Sequence, residues 1–308
     1  MDRLHLIDVF VAVVDAQGLA SAARKLRISP PAVTRAINEL ETRLGARLLT
    51  RTTRSVHVTE AGAVYAESCR RILTDLEEAD DSASGVHGVP RGLLTVTAPV
   101  LFGSMHVMPI VTEFLQRNPE VTASCWFLDR VVNMLEESVD VGVRIGALPD
   151  SSMQAIRVGS MRVVMCAAPS YLNSRGTPQC PEDIDKHVTI SVGSATSETE
   201  WHVQDSGEQR AIKLRPRLTT VTSDAAVTAA ISGFGITNLL FYKVADHVRE
   251  GRLATVLGNY ELAAIPVHVM HREGRHATKR SRAFIDLAVE HLRANPVLCQ
   301  SNACPQPS

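Results

Sequence analysis

The sequence lacks the features of membrane and exported proteins. No run of about 18 or more apolar residues occurs in the chain, which argues against a membrane-spanning helix. Acidic side chains interrupt the first apolar stretch, which argues against a signal peptide. We therefore expect no membrane partner and a cytoplasmic location.

The chain also lacks the motifs of common enzyme classes. It has no G-x-x-x-x-G-K-[ST] phosphate loop, no G-x-S-x-G nucleophile turn and no H-E-x-x-H metal helix. Its six cysteines include no C-x-x-C pair and no Cys/His spacing typical of zinc sites. The histidines His268, His271 and His276 are expected to have core or solvated roles. We predict a protein that is not an enzyme and that holds no metal or cofactor.

The most informative stretch covers residues 20–62, where the pattern predicts two short helices, a tight turn and a basic hairpin. Ser29 is a favoured N-cap residue and Pro30 suits the first position of the second helix. Apolar residues follow at spacings of 4, 3 and 4, which makes one buried stripe: Val33, Ile37, Leu40 and Leu44. The opposite face carries groups that bind base edges and phosphates: Pro31, Thr34, Arg35 and Asn38.

Positive charge is concentrated in the same stretch. Between Arg24 and Arg54 there are eight Lys or Arg and two Glu, a net charge of +6, whereas the whole chain carries −1. A solvated basic surface would explain the charge alone, but together with the helix-turn-helix pattern it indicates double-stranded DNA as a partner. Further DNA-binding candidates lie in the first helix, at the cap and in the hairpin: Ser21, Arg24, Ser29, Pro30, Arg51, Thr52 and Arg54.

The segment from Thr59 to about Ser84 is predicted to form one long helix, about 37 Å in length. Its apolar residues follow a heptad pattern that predicts a dimerisation seam: Tyr65, Cys69, Ile72, Leu76 and Ala79. The alternative is that this stripe packs against another part of the same chain.

Beyond a Gly/Pro-rich hinge the pattern alternates between strands and helices, which predicts open α/β sheets. A helix is expected over residues 103–118, with Met105, Met108, Val111 and Leu115 on its buried side. Another is expected over residues 131–138, and a strand over residues 161–168.

These motifs resemble the LysR-type transcriptional regulators. The matching runs are S-A-A-R-K-L from Ser21, S-P-P-A-V-T-R-A-I from Ser29, T-E-A-G from Thr59, T-A-P-V-L-F-G from Thr97 and V-D-V-G-V-R-I-G from Val139. The resemblance covers residues 1–297. It implies an α/β protein with an all-α N-terminal part: a winged helix-turn-helix domain, a long linker helix and a two-lobed effector domain similar to periplasmic binding proteins.

The resemblance also implies domain boundaries and partners. The domains are residues 1–59 for DNA binding, 60–84 for the linker helix, 85–92 for the hinge and 93–297 for the effector domain, with 298–308 as a loose tail. Lobe I covers about 93–160 and 267–297, and lobe II about 161–266. The implied partners are DNA, a small-molecule effector, further copies as a homodimer or tetramer, and RNA polymerase.

The effector is expected between the lobes, near strand ends and the amino end of a helix. A helix amino end favours an anionic group and Arg144 adds a cation, so an anionic or polar ligand is predicted. The candidate residues are Ala98, Pro99, Val100, Phe102, Ser104, Arg144, Gly193, Ser194, Thr196 and Ser223.

Other functions stay open at this point. One is a ligand-binding protein that no longer binds DNA, and another is an architectural DNA-binding protein, which leaves the α/β domain unexplained. A third is a sensor of the same fold that is switched by oxidation of Cys180 with a tail cysteine, Cys299 or Cys304. The sequence names neither the effector nor the operator.

Overall fold

The computed structural model describes residues 2–51, 56–83, 89–134, 136–148, 153–193, 199–271 and 278–298. These residues form two compact units, an N-terminal unit made mainly of residues 2–93 and a C-terminal unit made mainly of the remainder. Within the described residues, no helix has the length and apolar character needed to cross a membrane.

The N-terminal unit is a helical domain with a small hairpin. Its elements are α1 (Arg3–Asp15), α2 (Leu19–Leu26), α3 (Pro30–Leu44), β1 (Leu49–Arg51), β2 (Val56–Val58) and α4 (Glu60–Ala83). The two short helices predicted in this stretch are present as α2 and α3, and α3 begins at Pro30 as predicted. The Ala32 N–H donates to the Ser29 side chain at 3.4 Å, so Ser29 caps α3 as expected.

The amino end of α4 packs closely against the chain before β1. The Thr59 hydroxyl donates to the Arg47 carbonyl oxygen at 2.8 Å and accepts from the Gly62 N–H at 2.9 Å. A Cβ atom added at Gly62 would lie 2.1 Å from the Leu48 carbonyl oxygen. Only glycine therefore fits at this crossing, which fixes the direction in which α4 leaves the domain.

The C-terminal unit alternates strands and helices, as predicted. Its elements are β3 (Gly92–Ala98), α5 (Val100–Phe102), α6 (Met108–Arg117), β4 (Val121–Phe127), β5 (Val141–Ile145), β6 (Gln154–Met161), β7 (Val163–Ala167), α7 (Pro169–Arg175), β8 (Thr189–Val192), β9 (Thr199–Asp205), β10 (Glu208–Leu214), β11 (Leu218–Thr220), α8 (Ser223–Ile231), β12 (Ile236–Leu240), α9 (Ala245–Arg249), β13 (Ala254–Val256), β14 (Ile265–His271) and α10 (Lys279–Ala294).

Ten of these strands form two five-stranded sheets, one in each lobe, and β9 and β10 form a separate antiparallel hairpin. The lobe I sheet has the order β4-β3-β5-β14-β6, and the lobe II sheet has the order β11-β8-β12-β7-β13. Strands β3 and β5 are parallel, as are β11, β8 and β12, whereas β14, β7 and β13 run antiparallel to their neighbours. The chain crosses between the lobes twice, after β6 and before β14.

One helix prediction in lobe I was correct in extent but partly wrong in its buried side, and a second was wrong. In the first, a π-helical turn, Gly103–Val107, lies between α5 and α6 and shifts the phase of the helix. The predicted Met105 is therefore 37% exposed, whereas Val111 is buried as predicted, together with Val107, Ile110 and Phe114. In the described part of residues 131–138 there is no helix, only a turn in which the Glu137 N–H donates to the Asn133 carbonyl oxygen at 2.9 Å.

The predicted strand over residues 161–168 is in fact two strands. Arg162 separates β6, which ends at Met161 in lobe I, from β7 in lobe II. The rest of β6 and the whole β9–β10 hairpin were not predicted, because exposed polar residues dilute their apolar pattern.

Candidate nucleic-acid interface and effector site

The two faces of α3 have the burial that the sequence predicted. Val33, Ile37 and Leu40 are at most 1% exposed and pack with α1 and α2. On the other face, Pro31, Arg35 and Asn38 are exposed and Thr34 is half-buried. The domain therefore presents one hydroxyl, one guanidinium and one amide on a rigid helix.

The surface around α3 is strongly basic. Six of its cationic residues are exposed: Arg24, Lys25, Arg27, Arg35, Arg43 and Arg47. The Arg24 guanidinium donates to the Ser21 hydroxyl at 3.2 Å, which places these two candidates side by side. The Glu41 carboxylate accepts the Leu48 N–H at 2.8 Å and the Leu49 N–H at 3.0 Å, so this acid is held against the backbone.

The hairpin of strands β1 and β2 forms the predicted wing. The strands pair antiparallel, with Leu49 opposite Val58 and Arg51 opposite Val56. The side chain of Arg51, together with Thr52 and Arg54, lies outside the described residues.

The predicted dimerisation seam of α4 divides into two parts. Cys69 is fully buried against Ile7 and Val11 of α1, and the Tyr65 ring lies 5.7 Å from the Phe10 ring. Placing Cys69 on a partner-facing seam was therefore wrong, because it belongs to the core of its own domain, whereas Tyr65 is only half-buried.

Two other residues of the predicted seam are exposed, Ile72 to 47% and Leu76 to 40%. Val64, which was not among the predicted residues, is 65% exposed. These three residues lie on one side of α4, and we call them the α4 stripe. The side chain of Ala79 lies outside the described residues.

Lobe I contains a cavity of about 550 Å³ at the carboxyl ends of β3 and β5, which we call the lobe I cavity. Among its walls are the predicted residues Pro99 and Arg144. Asp129 and Arg130 are the other charged residues of the lining. Most of the rest is apolar: Leu128, Val131, Val132, Met134, Ile145, Ala147, Leu148, Met153 and Met270. The cavity can therefore hold an apolar body close to a cation.

Arg144 and Arg130 both line this cavity but differ in their partners. Arg130 forms two hydrogen bonds with the Glu137 carboxylate, at 2.8 and 2.5 Å. Arg144 is half-buried, and its hydrogen bond within the described residues goes to the Val132 carbonyl oxygen at 3.3 Å. Burial lowers the pKa of Arg144, which means that its charge is poorly solvated. Arg144 is therefore the better partner for a ligand anion.

The expected anion site at the start of α5 is already occupied. The Val100 N–H donates to the Asp129 carboxylate at 3.0 Å. This side chain, 29 residues away in sequence, supplies the negative charge that the sequence analysis assigned to the effector. That part of the prediction was wrong, since a second anion there would be repelled by Asp129.

Two other effector candidates in lobe I have core positions instead. Ala98 and Phe102 have no exposed surface. The Phe102 ring packs edge-on against the Tyr242 ring of lobe II, with centroids 5.2 Å apart. Placing Ala98 and Phe102 in the ligand-contacting set was wrong, whereas Val100 and Ser104 are exposed at the start of the helix.

In lobe II, Lys243 lies next to the predicted residue Ser223 but was not itself predicted. Its ammonium donates to the Ser223 hydroxyl at 2.5 Å. Burial lowers the pKa of Lys243, while Asp129 and Asp224 raise it, so Asp129 of lobe I acts electrostatically on lobe II.

Gly193 is exposed and its N–H donates to the Thr220 carbonyl oxygen at 2.9 Å. Ser194 and Thr196 lie outside the described residues.

The described cysteines are free thiols with raised pKa values. Burial raises the pKa of Cys166 to about 12 and also raises those of Cys69 and Cys125. A hydrogen bond with Glu182 is the main cause of the raised pKa of Cys180. Because the thiolate is the reactive form, this does not favour a thiol switch. Cys299 and Cys304 lie outside the described residues.

A winged helix-turn-helix unit combined with a two-lobed α/β unit defines a class of ligand-responsive DNA-binding regulators. Comparison with known families gives the same result. Residues 4–63 match the bacterial regulatory helix-turn-helix protein model of the lysR family, and residues 87–293 match the LysR substrate binding domain. The chain belongs to the LysR family of transcriptional regulators, with a DNA-binding and an effector-binding domain.

Relatives and solved structures agree over nearly the whole length. An HTH-type transcriptional regulator of Xanthomonas campestris is 32% identical over 92% of this chain and 84% of its own. An HTH-type transcriptional repressor of Pseudomonas aeruginosa is 31% identical over 96% and 94%. The structure of CrgA, a LysR-type regulator from Neisseria meningitidis, is 30% identical, covers 94% of this chain and 98% of its own, and has a TM-score of 0.60.

Proposed function

We propose that α3 reads the operator sequence through Pro31, Thr34, Arg35 and Asn38. Neighbouring residues hold the DNA backbone: Ser21, Arg24, Ser29, Pro30, Arg51, Thr52 and Arg54. The observation that carries this proposal is the exposed polar face of α3 opposite a fully buried one. Side chains on such a face reach base edges in the major groove, while basic residues around it bind phosphates.

Footprinting and salt titration test the two roles. Arg35→Ala and Thr34→Ala should each weaken specific binding by about 1–3 kcal/mol per half-site. Arg24→Ala should weaken binding to all sequences alike and lower the salt slope by about 1. Arg249→Ala removes an exposed charge from α9 and is the control. Unchanged protection of the operator by Arg35→Ala and Thr34→Ala would contradict this role of α3.

For the effector, we infer a small organic acid with an apolar body, bound in the lobe I cavity with its carboxylate on Arg144. The supporting observation is a half-buried guanidinium in a mainly apolar cavity. A thermal-shift screen of organic acids should find a ligand that stabilises the wild type and stabilises Arg144→Ala much less. Arg117→Ala, an exposed arginine of α6, should respond like the wild type. Equal stabilisation of Arg144→Ala would place the ligand elsewhere.

We further propose that two copies pair through the α4 stripe, with Ala79 continuing it, and that pairs join as tetramers. LysR-type regulators are oligomeric DNA-binding proteins, and a dimer would place two α3 helices on two half-sites of one operator. We propose that the protein, once bound at the promoter, acts on RNA polymerase.

A further inference from the structure

Lobe II contains a second cavity, of about 670 Å³, which we call the lobe II cavity. His187 and Thr189 line it at the amino end of β8, and Arg215 lines it just before β11. Because β8 and β11 are parallel, both amino ends lie at one edge of the sheet. Gly193 and Ser223, which the sequence analysis assigned to the effector, lie at the carboxyl ends, on the opposite edge. The lobe II cavity is therefore separate from the proposed effector site.

Both walls of this cavity are held in place. One wall is the 3₁₀ segment Pro181–Lys186, where the Asp183 carboxylate accepts from the Gln179 N–H at 3.0 Å and from the Lys186 ammonium at 2.8 Å. The other wall is the β9–β10 hairpin, whose Trp201 and Ile212 are buried in the core. An ion pair of 2.5 Å between Arg210 and Glu182 joins the two walls. The cavity is thus formed before any ligand arrives.

Four charged side chains face this cavity: Asp185, Glu200, Lys213 and Arg215. Among the described residues, none of the four has a hydrogen-bonding or ion-pair partner, although Glu200 and Lys213 are opposite each other in the hairpin. Two ion pairs lie just outside the cavity, Glu182 with Arg210 and Asp183 with Lys186. Asp185, Lys213 and Arg215 are exposed and Glu200 is half-buried, so the cavity lining brings together two acids and two bases that are not paired with one another.

We propose that the lobe II cavity binds a small zwitterion of amino-acid or dipeptide size. Its carboxylate would bind Lys213 and Arg215, and its ammonium group would bind Asp185 and Glu200. Two charges of each sign leave the cavity without a net charge, so a simple anion or cation would gain from one pair and be repelled by the other. A ligand with both charges gains charge-assisted hydrogen bonds from both pairs.

His187 adds a neutral polar group to this cavity. Its pKa is lowered by burial, although Asp183 opposes the shift, and its Nδ1 lies 3.2 Å from the Tyr171 hydroxyl. At neutral pH the imidazole therefore leaves the charge balance of the four side chains unchanged.

Calorimetric titration of the full-length protein tests the proposal. The probes are the common L-amino acids and glycylglycine, one at a time, and the same compounds with both termini capped. At least one uncapped probe should bind, and its capped form should not. Lys213→Met and Glu200→Gln should each weaken binding by about tenfold or more, whereas Lys213→Arg should retain it. Arg252→Met removes an exposed cation elsewhere in lobe II and should have no effect.

Arg144→Ala separates this site from the lobe I cavity and should bind the zwitterion like the wild type. Unfolding curves of each variant show whether it is folded. Retained binding in Lys213→Arg would show that the loss in Lys213→Met comes from the missing positive charge and not from a change in structure. The proposal is overturned if no uncapped probe binds at millimolar concentration. It is also overturned if binding survives both Lys213→Met and Glu200→Gln, or is lost in Arg144→Ala.

Discussion

At the scale of single residues, one buried ion pair fixes the two connections between the lobes. Arg162 follows β6 in the first connection and Glu261 precedes β14 in the second. The Arg162 Nε donates to Glu261 at 2.7 Å and its Nη2 at 2.6 Å, with side chains only 10% and 14% exposed. The guanidinium also lies over the Phe241 ring, 5.2 Å from its centroid.

Removing one partner of this pair should destabilise the C-terminal unit. Glu261→Ala leaves a guanidinium buried without its counter-charge, and we expect a loss of about 3–5 kcal/mol. Glu250→Ala breaks an exposed pair with Arg252 and should cost at most about 1 kcal/mol. Thermal unfolding of the two variants measures the difference. Equal midpoints would show that the buried pair contributes little.

Gly62 gives a second residue-scale prediction. In Gly62→Ala the new methyl would meet the Leu48 backbone at 2.1 Å, and backbone atoms cannot move aside cheaply. We expect a destabilisation of about 1–3 kcal/mol or more. The matched control is Ala63→Ser, at the next position of α4, which is exposed. This change should lower the free energy of unfolding by only about a few tenths of a kcal/mol. Proteolysis within the N-terminal unit reports its stability, and equal resistance of both variants would contradict the prediction.

At the scale of elements, the α4 stripe predicts the assembly. Ile72→Asp combined with Leu76→Asp places charges where apolar side chains would be buried against a second chain, which is strongly unfavourable. Analytical ultracentrifugation should show monomers. Ala63→Asp, on the opposite side of α4, should leave the dimer intact. A dimer that survives the double variant would mean that another interface holds the chains together.

The helices of the N-terminal unit were predictable because their signals are local. Ser29 and Pro30 mark the start of α3, and Thr59 marks the start of α4. The features that were predicted wrongly or not at all depend on contacts between residues distant in sequence, or on local irregularities of the backbone. The π-helical turn has no signature in the spacing of apolar residues, and β6 and the β9–β10 hairpin alternate too weakly to be recognised.

In the candidate site, too, residues with a local sequence signal were predicted and residues whose roles depend on distant contacts were not. Arg144 was found because it ends a recognisable strand. Asp129 and Lys243 were missed because their roles arise only when distant segments meet. Likewise, the burial of Cys69 depends on α1, which no heptad pattern within α4 reveals.

At the scale of the whole molecule, the contacts between the lobes set how the C-terminal unit can respond. Phe102 and His106 of lobe I pack around Tyr242 of lobe II, with His106 and Tyr242 centroids 6.0 Å apart. A ligand changes the arrangement of the lobes only if it binds one arrangement more tightly than another. An effector that separates the lobes must therefore disrupt this aromatic cluster, whereas one that favours the present arrangement would leave it intact.

The aromatic cluster should make the stability of the folded protein depend on pH, because it contains His106. Burial lowers the pKa of His106, although Asp246 opposes the shift, and the ring lies 3.0 Å from the Asn295 amide nitrogen. The folded protein therefore holds this proton less tightly than the unfolded chain, whose histidine pKa is about 6.5. Stability should be complete above this value and fall as the pH drops through it, because the unfolded state then binds more protons.

The contribution of histidines to the pH dependence of stability can be distinguished from that of carboxylates by the choice of the pH range. Hydrogen bonds from Lys186 and the backbone hold the pKa of Asp183 well below its usual range, so its contribution is lost only in stronger acid. Between about pH 5 and 7.5 the unfolding midpoint should thus fall with acid mainly through His106 and two other half-buried imidazoles, His187 and His268, whose pKa values partial burial also lowers. His106→Gln should flatten this dependence, while His202→Gln, at an exposed position, should leave it unchanged. If His106→Gln and the wild type lose stability in parallel, the proton is taken up elsewhere and the aromatic cluster does not sense pH.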